Sequence, residues 1–230
     1  MKLTELYKEI VASLHVSQDE AYRKKLSALV PTESRVMGVP VPRIRELVKE
    51  FHAKHKDETT IEVACELLDL FSQARGREEM LFGIFLLARL RPQPSTSLWQ
   101  RVDRWVETVN NWEVCDQLAM NIAGPLVAKD MSLVKELVNW TKSKNFWRRR
   151  FAVAATTVLN RKGQSYPEET FLVCEPLLLD KEPMVRKAVA WAIREVARYD
   201  ENAVLRFLER NPNGHKHFRR GGRLSGTESN

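Results

Sequence analysis

Glycine is scarce in this chain, 9 of 230 residues, about 4% against a usual ~7%. No GxGxxG, GxxxxGKS or GxxxxGKT string occurs, which excludes nucleotide cradles built on glycine-rich backbone. No apolar run approaches the roughly 20 residues of a membrane span. The opening MKLTELYKEIVASLH carries Glu5 and Glu9 and lacks the continuous apolar stretch of a secretory leader. No membrane association is therefore expected. Cysteine is sparse as well: Cys65, Cys115 and Cys174 are far apart and odd in number, which argues against a disulfide framework and for a reducing, cytoplasmic setting. His52 and His55 are three apart with no cysteine near them, and His215 and His217 lie in a polar tail. The ligand sets that zinc needs are missing, and neither metal nor cofactor is expected.

Strand-like alternation is nearly absent, and apolar residues recur at helical spacing almost throughout. With 43% hydrophobic and 29% charged residues the chain is an ordinary folded protein. The spacing predicts helices over 3–14, 18–30 and 42–55, the last opened by Pro42 in its first turn. Four helix pairs follow, over 60–73 with 77–90, 97–108 with 112–128, 132–142 with 146–160, and 167–179 with 183–199, and a short helix over 201–210 closes the series. The period is about 35 residues, in the range of helical-pair repeats. The second helices begin alike, NNWEVCD at 110–116, NFWRRRF at 145–151 and EPMVRKA at 182–188, and continue with small residues such as Ala119, Ala123, Ala152, Ala188 and Ala192. The expected fold is all-α, with helical-pair repeats stacked into a curved α-solenoid as one domain over 1–214. Residues 215–230 are expected to form a disordered basic tail.

Charge is unevenly spread. The chain carries 37 Lys and Arg against 30 Asp and Glu, a net charge of +7. Between Thr141 and Gly163 there are seven basic residues and no acid, and between Lys181 and Arg198 five basic residues and two acids. The segment from Gln100 to Asp116 runs the other way, with two basic residues and four acids. A basic stripe along a helical-repeat surface is a footprint for phosphates. Charge alone fits a solvated positive face equally well.

Six tryptophans add a second pattern. Trp99, Trp105 and Trp140 fall on first helices of pairs, where packing is their expected role. Trp112, Trp147 and Trp191 fall on second helices beside charged residues. Trp112 and Asp116 share a helix face, as do Trp147 and Arg150, and Lys187, Trp191 and Arg194 form another stripe. A ring beside a charge on three successive repeats would line a cleft, but the residues by themselves favour a simpler role, each ring filling a seam between repeats.

Four stretches carry a resemblance: MGVPVPRIRELVKEF at 37–51, NNWEVCDQLAMNIAGPL at 110–126, NFWRRRFAVA at 145–154 and MVRKAVAWAIREVAR at 184–198. In this order, on a helical-repeat pattern, they resemble the DNA alkylation repair enzymes of the AlkD type, bacterial glycosylases built from HEAT-like repeats. The resemblance runs from about Leu3 to about Arg210. It implies that Asp116 is the catalytic aspartate of a Trp-x-x-x-Asp signature and that Trp112 and Trp191 are the two cleft tryptophans. It also implies that Arg150 grips DNA near the lesion and that Arg45 is the arginine after a Gly-x-x-x-Pro turn. Arg148 and Lys187, beside these positions, complete the expected DNA-binding set. Family members remove cationic N3- and N7-alkylpurines from duplex DNA without metal or cofactor and without flipping the base into a deep pocket. The implied partner is double-stranded DNA carrying alkylated purines, met by a monomer in the cytoplasm at the nucleoid. The chain departs from the family at Glu113, where many members have Asp, and at Leu29, where some have Tyr.

The implied chemistry is self-consistent. An alkylpurine with a fixed positive charge already leaves well, so the general acid of a two-carboxylate glycosidase is unnecessary. One aspartate, ionised at neutral pH with a reference pKa of ~3.9, can stabilise an oxocarbenium-like sugar and orient water. Two other readings remain open from the sequence: a non-catalytic binder of duplex or branched DNA, and a protein-interaction scaffold in which Asp116 is a helix-face salt bridge.

Overall fold

Helix starts are written locally in this chain. Asp19, Thr60, Ser95, Asn111, Asn145 and Asp200 each precede a helix and accept a first-turn backbone N–H at 2.8–3.2 Å, satisfying a donor that has no partner within the helix. Pro42, Pro167 and Pro183 sit in first turns, where a missing N–H costs nothing. The computed structural model describes residues 2–161 and 163–212. Among these the elements are α1 (Leu3–Val16), α2 (Glu20–Leu29), α3 (Val41–Lys54), α4 (Ile61–Ala74), α5 (Arg77–Arg89), α6 (Thr96–Thr108), α7 (Trp112–Leu118), α8 (Gly124–Lys129), α9 (Val134–Trp140), α10 (Phe146–Thr156), α11 (Pro167–Cys174), α12 (Pro183–Ala197) and α13 (Glu201–Arg210). No strand occurs among the described residues beyond an isolated bridge between Arg35 and Gly76. The protein is an all-α helical repeat. The expected tail over 215–230 lies outside the described residues.

The contacts divide the chain into two compact units, Met1–Leu133 and Val134–Asn230. In the first, α5 packs against α3, α4 and α7, and α4 against α6. First helices thus stack on first helices and second on second. Residues Arg77 to Leu87 of α5 are all buried, so this helix is the centre of the unit. Gly83 lets α4 approach, since a Cβ there would sit 2.8 Å from Leu68 Cδ1. The second unit repeats the scheme, with α9 on α11 and α10 on α12, while α13 covers α12 and α11. The small residues form its seam: Ala152, Ala154, Ala155, Ala188 and Ala192 are fully buried. All three cysteines are buried and free. Burial pushes the Cys65 thiol up to about 11, which leaves it protonated at neutral pH.

Several predicted helices differ in detail: those over 132–142, 146–160 and 167–179 begin or end in 3-10 turns, Met131–Leu133, Thr157–Asn160 and Glu175–Leu177. The stretch over 112–128 is interrupted by a π-helical segment, Ala119–Ala123, between α7 and α8. Pro125 is the physical reason: it has no N–H to give and its ring crowds the carbonyl four residues back, so the helix widens there. The Asn121 amide donates to the Gln117 carbonyl at 2.8 Å within this wide turn.

Candidate catalytic carboxylate and nucleic-acid interface

Asp116 lies on α7 at 7% exposure, one turn beyond the half-buried Trp112. The indole N–H of Trp112 donates to the Leu29 carbonyl at 3.1 Å, so the ring is pinned to the end of α2. The loop over 30–40 is fastened on both sides of that contact. The Thr32 and Ser34 hydroxyls donate to Asn110 Oδ1 at 2.8 and 2.9 Å, while Asn111 caps α7.

Beneath this loop runs a buried charge network. The Glu78 carboxylate accepts the backbone N–H groups of Met37, Gly38 and Val39 at 3.0, 2.9 and 3.3 Å. Arg77 donates to Glu78 at 2.8 Å, to the Val39 carbonyl at 3.1 Å and to Glu113 of α7 at 2.6 Å. Burial works against the Arg77 charge, but the bond and charge of Glu113 and the charge of Glu78 outweigh it and raise the Arg77 pKa. Arg35 pairs with Glu79 at the rim. Gly38 is required in this loop: its φ is +85°, and a Cβ would fall 2.5 Å from the Asp19 carbonyl oxygen. The second position of the Trp-x-x-x-Asp stretch, Glu113, is therefore an anchor. It ties the helix of Trp112 and Asp116 to α5 and the loop.

Arg45, exposed on α3, lays its guanidinium 3.8 Å from the Phe85 ring centroid and donates to Gln117 Oε1 at 3.3 Å. Partial burial lowers its pKa from the ordinary arginine value. Arg45 is thus tied to the residue next to Asp116. Asp116, Trp112 and Arg45 belong to the first unit, and Arg148, Arg150, Lys187 and Trp191 to the second.

In the second unit the three consecutive arginines have three different settings. Arg148, half-buried, lies 5.4 Å from the Trp140 ring centroid. Arg149 forms a bidentate pair with Asp180 at 2.6 and 3.0 Å and donates to the Ser143 carbonyl at 2.8 Å. Arg150 is 6% exposed and donates to the Met184 carbonyl at 2.6 Å, joining α10 to the start of α12. Lys187 is exposed, as are Lys142, Lys144, Lys181 and Arg194. Trp191 is half-buried, and its indole N–H donates to Glu195 Oε1 at 3.0 Å.

Trp105 and Trp140 are buried, as their place on first helices predicts, whereas Trp99 is half-buried. All three second-helix tryptophans are half-buried. Sequence reasoning missed Arg77, Glu78 and Glu195. The available signal was a charged triplet, Arg77-Glu78-Glu79, opening an otherwise apolar helix, and one acid inside the apolar run of α12.

A family model described as DNA alkylation repair enzyme matches residues 10–221. Among solved structures, a predicted DNA alkylation repair enzyme from Enterococcus faecalis is similar, with a TM-score of 0.74 and 18% identity over 92% of this chain and 98% of that one. The structure of smu.31 from Streptococcus mutans UA159 is similar over 82% of this chain and 92% of that one, with a TM-score of 0.51 and 22% identity. At these identities the two structures speak for the fold. No curated protein matches the chain significantly.

Proposed function

The chain belongs to the family of DNA alkylation repair enzymes, with DNA repair as its function, and on that premise we propose that it is a glycosylase removing cationic N3- and N7-alkylpurines from duplex DNA. The observation that carries this reading is Asp116 itself, a carboxylate at 7% exposure one turn from a pinned, half-buried tryptophan. A carboxylate near DNA repels phosphates, so a pure binding surface gains nothing from it. A reaction that builds positive charge on a sugar does. Asp116 would stabilise that charge and hold the attacking water.

Trp112 would present a ring face to the cationic lesion and sugar, and Trp191, in the second unit, would present its ring to the duplex. Each indole N–H is already engaged by an internal acceptor, and Arg161 stands against one face of Trp191, so what either ring offers a substrate is a face or an edge, not its N–H. A ring face over a cation contributes on the order of 0.5–2 kcal/mol. Arg45, Arg148 and Lys187 would hold phosphates, and Arg150 would place a fixed positive charge beneath that surface. No metal or cofactor enters the scheme, and the protein would act as a monomer at the nucleoid.

The test is single-turnover release of N7-methylguanine from duplex DNA by wild type and Asp116→Asn at matched folded concentration. The variant should lose on the order of 10²–10³ in rate while binding undamaged duplex as well as or better than wild type. Trp112→Ala should fall between the two. Equal rates would remove Asp116 from the mechanism. Release by neither protein, with salt-sensitive duplex binding retained, would leave a non-catalytic DNA binder.

A further inference from the structure

Trp191 sits on α12, whose Val185, Ala188, Val189, Ala192, Ile193 and Val196 are buried. Within this apolar company Glu195 is 3% exposed. Its Oε1 accepts the Trp191 indole N–H at 3.0 Å and its Oε2 accepts from Arg161 Nε at 3.1 Å. Arg198 Nη1 lies 3.2 and 3.1 Å from the two oxygens. The Arg161 guanidinium in turn stands 5.7 Å from the centroid of the Trp191 ring. The indole is therefore gripped twice, at its N–H by a carboxylate and at its face by a cation which that carboxylate fixes.

A salt bridge between surface helices needs no buried carboxylate. Desolvating Glu195 is costly, and its two arginine partners keep side-chain exposures of 32% and 68%. The buried position lets one carboxylate bond the indole through one oxygen and Arg161 through the other. A half-buried tryptophan without such a bond can hop between rotamers, and a change of χ1 carries the whole ring away. We propose that Glu195 is a positioning residue that fixes the Trp191 ring in the orientation it presents to DNA, with Arg161 as the second clamp. This rests on the reading of Trp191 as a DNA-facing ring. A consequence is that Trp191 donates no hydrogen bond to a base edge, so its contribution is indifferent to sequence and sensitive to charge.

The experiment is a double-mutant cycle on the full chain, with a duplex oligonucleotide carrying one N7-methylguanine as probe. Glu195→Ala should slow single-turnover excision about 10- to 100-fold, the scale on which a small misplacement of a substrate-positioning group is felt. Glu195→Gln keeps an acceptor for the indole and should stay near wild type. In the Trp191→Phe background, which has no indole N–H, Glu195→Ala should cost nothing further, because the two residues act as one unit. An equal fractional loss in both backgrounds, or no loss in either, overturns the proposal. Both arginines can turn to solvent when Glu195 is removed, so the variant should fold. If it does not, hydrogen exchange at the Trp191 indole N–H decides: slow exchange in wild type and in Glu195→Gln supports the clamp, and fast exchange in wild type overturns it. A wild type that releases no base sinks the glycosylase reading, and the cycle is then read in duplex affinity, where additive losses overturn the role of Glu195. A wild type that releases base with an additive cycle overturns Glu195 alone.

Discussion

Adjacent residues of like charge have unlike roles here. Arg149 fills a structural slot. Its bidentate partner Asp180 has 7% side-chain exposure, and removing the guanidinium strands a largely buried carboxylate. Arg149→Ala should lower stability by about 3 kcal/mol, seen as a reduced midpoint in urea, and leave the salt dependence of duplex binding unchanged. Lys187, exposed on α12, should behave in the opposite way. Lys187→Ala should keep the urea midpoint and reduce the slope of log affinity against log salt by about 1, the loss of one phosphate contact. Composition and spacing alone do not separate the three arginines and the lysine; only the family resemblance singles out Arg150, with Arg148 and Lys187 beside it and Arg149 left out. Asp180 lies 31 residues from Arg149 and the Met184 carbonyl 34 from Arg150, so only the packing of α12 on α10 separates structural cations from surface ones. That Asp116 and Trp112 share a helix face was legible because their link is local, one helical turn on α7.

Helices were the legible elements, and for a local reason. Caps such as Asn111 and Asn145 act within three residues, and prolines act on their own turn. The π segment was written less openly, in Gly124 and Pro125 near the end of an otherwise continuous apolar helix. The charge network that fastens α7 was not legible. Arg77 meets Glu113 across 36 residues and Glu78 meets the loop amides across 39 to 41, a pairing no periodicity reports. That network predicts a specific hierarchy. Glu113→Ala leaves the fully buried Arg77 without its 2.6 Å partner and should cost about 3–5 kcal/mol. Glu113→Gln keeps an acceptor and should cost less. Both are measured by urea unfolding. A midpoint for Glu113→Ala within error of wild type would mean that Arg77 finds another acceptor and that α7 is held chiefly by its apolar face.

The whole molecule should depend on pH at the acid end. Glu9 belongs to the first unit, where Lys54 and His55 bond it from α3 and its neighbour. Asp180 and Glu195 belong to the second, each paired with arginine. For all three, burial raises the pKa, but hydrogen bonds and nearby cations outweigh it and leave the carboxyl below its ordinary value. The unfolded chain therefore takes up protons at a higher pH than the folded one. The stabilisation is complete above the unfolded values of 3.8 for Asp and 4.5 for Glu, and it is lost as pH falls through the lower folded values. The melting temperature should be flat with respect to these groups between roughly pH 5.5 and 8 and should decline below about pH 4.5. Glu195→Gln should remove part of that acid slope, because the amide does not titrate. The check is a thermal melt series from pH 3 to 8 on wild type and Glu195→Gln. Parallel curves through the acid limb would show that Glu195 is no better stabilised as an anion in the folded protein than in the open chain.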